Sequence, residues 1–386
     1  MIMVLLCFGV GMVFSASYYG TLVDPQFNND PYYYLKHGAV WAAIGIFVMI
    51  AVSFIDVDNY YRFARLGMLV SGLMLILLFT PLGVMRNGAT RWIEIGPVTF
   101  MPGELAKIAA IFFTAWYYTK YESKTKQLVG GFLAPPLAVM AICFVLIYKQ
   151  PNLSTALIIC GIMLAMMFLS GTRILYFAVT ILLGGIGIFT MLIGEHLRRI
   201  NGYLDTFSDM QGEFYQTVQA LLGLGAGGVL GTGPGGSVQK ALYLPESQND
   251  YIFAIIGEEL GFVGCLVLLA LYLALIGYCM MISVHATNRF SMLVGSGITI
   301  MLALQVILNI GVVTNLIPPT GVTLPFVSYG GNAMLLFMGS MGIMLNISKK
   351  NAMAKELPRT IKTRRKRKDA SHEDWKRIRG DRQSER

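Results

Sequence analysis

Charge is what this sequence has least of: 13% of its 386 residues are Asp, Glu, Lys or Arg, where a soluble globular chain carries about a quarter. With 55% of residues in the AVILMFWYC set and a mean hydropathy of +0.61, that shortage excludes a soluble enzyme. Histidine is scarce as well. His37, His196, His285 and His372 are scattered and form no HExxH or His-x-Cys cluster, so no zinc site or haem pair is suggested and any metal would be held by carboxylates. Cys7, Cys143, Cys160, Cys265 and Cys279 are odd in number, lie in apolar runs and show no CxxC spacing. They read as small buried hydrophobes, not as a disulfide or metal framework. Nor is there a GK[ST] phosphate loop, which leaves phosphoryl transfer from a nucleotide without residues.

What charge there is lies at one end. Residues 349–386 hold 15 Lys/Arg against 6 Asp/Glu, a net of +9, which is the formal charge of the whole chain. The division at 348 gives a neutral apolar body, 1–348, and a basic tail, 349–386, expected to be disordered and to grip an anionic membrane surface rather than nucleic acid.

A helix needs about 20 apolar residues to cross a bilayer. Ten candidate spans follow: 1–17, 38–54, 66–84, 103–119, 131–147, 153–169, 174–194, 251–283, 291–316 and 332–347. The expected fold is an all-α polytopic membrane protein with a large extracellular loop between spans seven and eight. The eighth span, at 33 residues, is too long for an upright crossing and is expected to tilt or project. Arg62, Arg65, Lys120, Lys124, Lys126, Arg173, Arg289 and the tail are dense on one side of this topology. That side, with both termini, is therefore cytoplasmic, and the elaborate polar loops face outward.

Several motifs invite a chemical reading. Asp56-Val57-Asp58 has the D-x-D pattern of metal-holding nucleotide-sugar transferases, but no nucleotide domain accompanies it, so it reads as helix-end carboxylates. The glycine-rich run 223–237 reads as a re-entrant segment, with backbone N–H groups that could cradle a pyrophosphate. Glu104 and Lys107, three residues apart where span four begins, share a helix face and can pair; ionisable groups entering a span usually face a cavity. Asp250 stands at the outer mouth of span eight, where a lone aspartate is most often a helix cap. The constellation Lys240, Glu246 and Asp250 after a glycine loop raises it to a candidate active site. Ala254, Gly257, Gly261 and Cys265 make a stripe of small residues that admits a neighbouring helix, and Glu258 and Glu259 read as hydrogen-bonding glue. The segment from Pro318 to Gly331, rich in proline and glycine, reads as a rigid re-entrant turn.

Taken in order, these motifs resemble one family. Ser15-Ala16-Ser17, Asn87-Gly-Ala-Thr-Arg91-Trp92 leading to Pro102-Gly-Glu104-Leu-Ala-Lys107, Lys149-Gln150-Pro151-Asn152, Gln239-Lys240 with Pro245-Glu246, Asn249-Asp250 through Gly261, and Leu324-Pro-Phe-Val-Ser328-Tyr-Gly-Gly331 are similar to the SEDS proteins (shape, elongation, division and sporulation), the family of FtsW, RodA and SpoVE. The phrase 245–259 looks closer to FtsW and SpoVE than to RodA. The resemblance implies a peptidoglycan glycosyltransferase of the cytoplasmic membrane that polymerises lipid II, an undecaprenyl-pyrophosphate-linked disaccharide-pentapeptide, at the outer face beside a class B penicillin-binding protein. Asp250 matches the family's essential aspartate, as base or as ligand of a divalent cation, Mg or Mn, with no nucleotide. Arg91, Glu104, Lys107, Lys149, Gln150, Asn152, Lys240, Glu246 and Ser328 would contact substrate. Two departures stand out: Asn152 and Gly103 occupy positions where the family commonly has Asp and Ser. A lipid II flippase and a non-catalytic scaffold for the penicillin-binding protein are the alternatives; a flippase should carry polar residues along its whole path, and here they cluster at the outer end.

Overall fold

A computed structural model describes residues 1–86, 89–95, 98–178, 180 and 214–355. Its helices are α1 (Ile2–Val23), α2 (Tyr33–Ser53), α3 (Val57–Leu77), α4 (Pro102–Lys120), α5 (Ala138–Tyr148), α6 (Leu153–Leu169), α7 (Tyr215–Gly227), α8 (Ile252–Val284), α9 (Arg289–Val313) and α10 (Gly331–Lys355). Six of them, α1, α2, α3, α8, α9 and α10, are long and apolar enough to cross a membrane. The expected spans four to six coincide with α4, α5 and α6, the fifth entering through a π-helical turn, Leu128–Leu137, that carries Pro135 and Pro136. Most of span seven, 174–194, lies outside the described residues, as do Arg198 and Arg199. α10 continues to Lys355, seven residues past the boundary at 348, and the tail from 356 onward is also outside the described residues.

Local chemistry sets the ends of several helices. Asp56 caps α3 by accepting from the Asp58 N–H, Asn152 caps α6 through the Thr155 N–H, and Asn288 caps α9 through the Ser291 N–H. Pro102 opens α4, where its missing N–H costs nothing. α4 is the central helix: most of its side chains from Pro102 to Tyr118 are buried, against α3, α6 and α9. At one end of the bundle Lys350 bridges Asp56 and Asp58, Asn288 Nδ2 donates to Asp58 Oδ1 at 2.9 Å, and Arg289 pairs with Glu122. The D-x-D carboxylates are thus clasps between α3, α9 and α10.

The expectation of an all-α chain needs correcting. Residues 83–100 form a three-stranded antiparallel sheet, β1 (Gly83–Arg86), β2 (Ala89–Ile95) and β3 (Val98–Phe100), in the order β1-β2-β3. In β2 the side chains alternate between faces, so Arg91 shares a face with Ala89 and Ile93, both buried. An arginine is thereby carried inward on a short apolar hairpin.

The 33-residue eighth span is also not one tilted rod. Gly261 takes φ +66°, a conformation that leaves the helix, so α8 is two helices joined at a break. The run after α7 repairs that break. Thr232 N–H and Gly233 N–H donate to the Glu258 and Glu259 carbonyls at 2.9 and 3.0 Å, while Phe262 N–H and Val263 N–H donate to Gly228 O and Val229 O at 2.9 and 3.1 Å. Backbone at such depth must find protein partners, and here each side satisfies the other. The small-residue stripe serves this approach: a Cβ at Gly227 would lie 2.0 Å from Gly257 O, and one at Gly257 2.3 Å from Leu224 Cδ2.

Glu258 fastens the returning strand of the loop. Its buried carboxylate accepts from Ser237 Oγ, from Val238 N–H at 2.8 Å and from Gln239 N–H at 3.3 Å. Within the expected pyrophosphate cradle, the N–H groups of Gly228, Gly231, Thr232, Gly233 and Gly236 donate to carbonyls of the same chain. Glu258→Ala should lower the stability of the purified protein by about 3 kcal/mol, because two buried donors and one part-buried donor lose their acceptor. Thermal unfolding in detergent tests this, and an unshifted transition would show that the clamp is idle.

Candidate active site

The polar residues converge where β2, the start of α6, the start of α8 and the loop 314–330 meet. Asn309 of α9 holds this meeting point together. Its Nδ2 donates to Asp250 O at 2.7 Å and to Val322 O at 2.6 Å, pinning the approach to α8 onto the proline- and glycine-rich loop. Ser154 Oγ donates to Thr320 O at 2.5 Å and fixes the same loop to α6. Between these anchors Gly321 adopts φ +66°, and a Cβ added there would sit 3.3 Å from Asp250 Oδ2 and 4.0 Å from Arg91 Nη1. Asp250 and Arg91 therefore both come close to the space beside this glycine. Only a residue without a side chain leaves the space between them open.

Asp250 is half-buried, and its carboxylate caps nothing: Tyr251 is the cap residue of α8, which has no side-chain cap bond. The capping role expected of a lone aspartate is thus absent. Burial, with the Glu246 charge nearby, pushes the Asp250 carboxyl up from 3.8 to about 6, and the Arg91 cation opposes the shift. Burial likewise draws Arg91 below its ordinary value against the pull of Asp250; a guanidinium stays charged regardless. Arg91 Nη2 donates to Pro151 O, while Nε is buried without a partner among the described residues. The arginine is held at one corner and free to donate at another.

Glu246 is exposed, in a turn with φ +49°, and accepts from Asn249 Nδ2 at 3.2 Å. It acts on Asp250 through its charge, from outside the helix. Lys107 and Glu104 pair at 2.8 Å as their spacing predicts. Lys107 Nζ also donates to Gln305 Oε1 at 2.9 Å, and Gln305 Nε2 donates to Thr323 O at 3.3 Å. This buried pair thereby supports the loop that carries Gly321, and among the described residues Glu104 Oε2 has no hydrogen-bond partner.

Other expected contacts fall elsewhere. Lys240 is not brought to the aspartate: its ammonium lies 2.7 Å from Glu259 Oε1 and 3.0 Å from Ser15 Oγ. The two glutamates of α8 do act as hydrogen-bonding glue, and Glu259 claims the lysine that chain proximity had assigned to Asp250. Ser328 Oγ accepts from Leu324 N–H at 2.8 Å and closes a turn. Gln150 is buried and donates to Leu75 O at 3.1 Å, and Asn152 is occupied as the α6 cap. A Cβ at Gly103 would lie 3.3 Å from Thr155 Cγ2, so this α4 start leaves little room for the larger residue. Lys149 is exposed, beside a pocket of about 310 Å³ shared with Thr80 and Thr90. Asn309 and Gly321 are the site residues that sequence reasoning missed; a lone Asn deep in an apolar span was the available signal for the first.

Residues 1–353 match the cell cycle protein family of FtsW, RodA and SpoVE. The chain belongs to that family. It is 36% identical over 350 residues to stage V sporulation protein E of Bacillus subtilis, covering 90% of this chain and 94% of the relative. A protein of Geobacter sp. strain M18 named probable peptidoglycan glycosyltransferase FtsW is 34% identical over 351 residues, covering 90% and 95%. The expected lean toward FtsW and SpoVE agrees with these relatives. Among solved structures, one described as coordinating polymerization and crosslinking in a peptidoglycan synthase complex superposes with a TM-score of 0.72 at 24% identity, over 91% of this chain and 97% of that one. The rod shape determining protein RodA of Thermus thermophilus gives 0.64 at 24% identity, over 91% and 96%. The FtsW/RodA/SpoVE fold is thus shared with structures of much lower identity.

Proposed function

We propose that this chain is a peptidoglycan glycosyltransferase that polymerises lipid II at the outer face of the cytoplasmic membrane, with a class B penicillin-binding protein as its partner. Asp250 and Arg91, brought together beside Gly321, carry this reading. Glycosyl transfer joins an acceptor-sugar hydroxyl oxygen to the donor's anomeric carbon as the bond from that carbon to the pyrophosphate oxygen breaks. The hydroxyl proton goes to Asp250, and the electron pair leaves with the lipid pyrophosphate. A carboxylate raised toward neutrality is a better base, and a guanidinium with donors free suits a pyrophosphate. The donor already holds the energy of the bond, so no nucleotide is required.

The site also suits a divalent cation bound jointly with substrate. Among the described residues no three His, Cys, Asp or Glu side chains cluster as a ready-made metal site, but Mg²⁺ is commonly held by one or two carboxylates with substrate phosphates and water. Asp250 would be that carboxylate, and the ion would neutralise part of the pyrophosphate charge.

Both termini would face the cytoplasm. The clasp of Lys350 on Asp56 and Asp58 supports this, because it sets the α2–α3 loop at the same end as the basic tail. The tail would grip anionic lipid at about 1 kcal/mol per basic residue near the surface. Deleting 359–386 should weaken vesicle binding yet leave turnover within about twofold, as the tail's role is attachment. An inactive truncated protein would overturn that division of labour.

The pH profile tests the base. Asp250 must be ionised to accept a proton, so log kcat/KM should rise with unit slope up to a pH of about 6 and then level. An acid limb centred near 4 would mean that another, unperturbed carboxylate is the base.

A further inference from the structure

A second polar centre lies apart from Asp250, at Lys240, and it opens into a cleft of about 560 Å³ between α1 and the loop that repairs the α8 break. Such a volume lies within the usual range for a small-molecule site. One wall is a single face of α1. Cys7, Phe8, Gly11 and Phe14 supply its apolar length, and Ser15, Tyr18 and Tyr19 its polar end. From Cys7 to Tyr18 an α-helix advances about 16 Å, close to the hydrocarbon depth of one leaflet. The cleft is therefore long, narrow and parallel to a membrane-crossing helix.

Its polar end is built. Lys240 is 5% exposed, and two of its three ammonium protons serve Glu259 Oε1 and Ser15 Oγ. The third remains for a ligand, beside Gly235, where a Cβ would lie 3.9 Å from Nζ, and near the Tyr19 ring at 6.0 Å. The shape is that of an amphiphile: hydrogen-bond donors at the outer end and an apolar track below.

We propose that this cleft is a lipid site distinct from the Asp250 centre, and that it receives the chain and phosphate of a polyprenyl phosphate. The choice of a single-chain lipid rests on the reading of the protein as a lipid II polymerase, whose leaving group is the corresponding pyrophosphate, with the same single chain. The phosphate would meet Lys240 and the Tyr18 and Tyr19 hydroxyls, and the chain would run along Phe14, Gly11 and Cys7. The loop that frames the cleft also leads to Asp250, and Ser247 Oγ fastens it to Ala16 O of α1 at 3.1 Å. A lipid leaving the reaction would thus have a track on the same loop.

The test is photolabelling of the full chain in phosphatidylcholine nanodiscs with a diazirine-bearing prenyl phosphate, mapped by peptide mass spectrometry. Labelling of residues 7–19 should be saturable, and unlabelled undecaprenyl phosphate should compete at least tenfold better than undecaprenol or phosphatidylglycerol. Gly11→Trp should cut it at least fivefold. That variant should fold, since a Cβ at Gly11 meets nothing within 4 Å. The double variant Lys240→Gln/Glu259→Gln removes the pair without stranding a buried charge, and should abolish the preference for the phosphate over the alcohol. Asp250→Asn should label like wild type, so this site can stand or fall separately from the catalytic reading. Equal competition by phosphatidylglycerol, undiminished labelling of Gly11→Trp, or loss of labelling when the penicillin-binding partner is added would overturn the assignment, the last by showing that a partner helix fills the groove.

Discussion

Asp250→Asn should reduce glycan-strand formation by at least about a hundredfold, the usual scale for loss of a general base, without loss of folded protein. The carboxylate caps no helix, and among the described residues it accepts no hydrogen bond, so the amide removes no contact on which the fold depends. The sign of the stability change is informative. A carboxyl raised from 3.8 to about 6 on folding binds its proton more tightly in the native state, so it lowers stability increasingly as pH rises from about 4 to about 6, and fully above that. A side chain that is always neutral escapes this cost. At pH 7.5 the variant should be as stable as wild type or more so, by at most about 3 kcal/mol. An inactive and unfolded variant would make Asp250 a structural residue; an active one would move the chemistry elsewhere.

Arg91 should be the second most sensitive position. Arg91→Ala removes the guanidinium next to Asp250, and kcat should fall by about a hundredfold to a thousandfold, the range seen when one donor to developing negative charge is lost. Arg91→Lys should recover only part of this, because a point charge cannot bond Pro151 O and a pyrophosphate in the same planar fork. The second readout is the acid limb of the pH profile. Without the Arg91 cation, whose charge lowers the Asp250 value, that limb should move above pH 6. A purely structural arginine would lower activity at every pH and leave the limb in place.

Much of this arrangement could be read from the sequence, and the failures have physical causes. The helices follow the apolar runs because membrane segments are constrained by length and hydropathy before anything else. Glu104 and Lys107 pair as their helical spacing requires, while the glycine-rich run divides into the end of α7 and a loop that bonds to the α8 break. The sheet at 83–100 escaped notice because its strands are short and follow an apolar helix without a break in hydropathy. Gly261 looked like one more small residue in a packing stripe; its positive φ depends on the loop at 228–233, which bonds the freed carbonyls. Lys240 was assigned to Asp250 because the two are close in the chain, yet a buried cation follows the nearest buried carboxylate, and that is Glu259. Ser328 and Gln150 sit within recognisable motifs, but their polar atoms serve the backbone. Gly321 could be valued only when the two charged side chains beside it were placed.

The central claim is that this chain itself forms glycosidic bonds at Asp250. Purified lipid II, the detergent-solubilised protein and its class B partner, with divalent cation present and absent, test it directly, because without a bilayer there is nothing to transport across. The account predicts glycan strands from wild type and none from Asp250→Asn. Equal amounts of strand from both would contradict it, and absence of product from either would make the chain a carrier of lipid II or a scaffold for its partner.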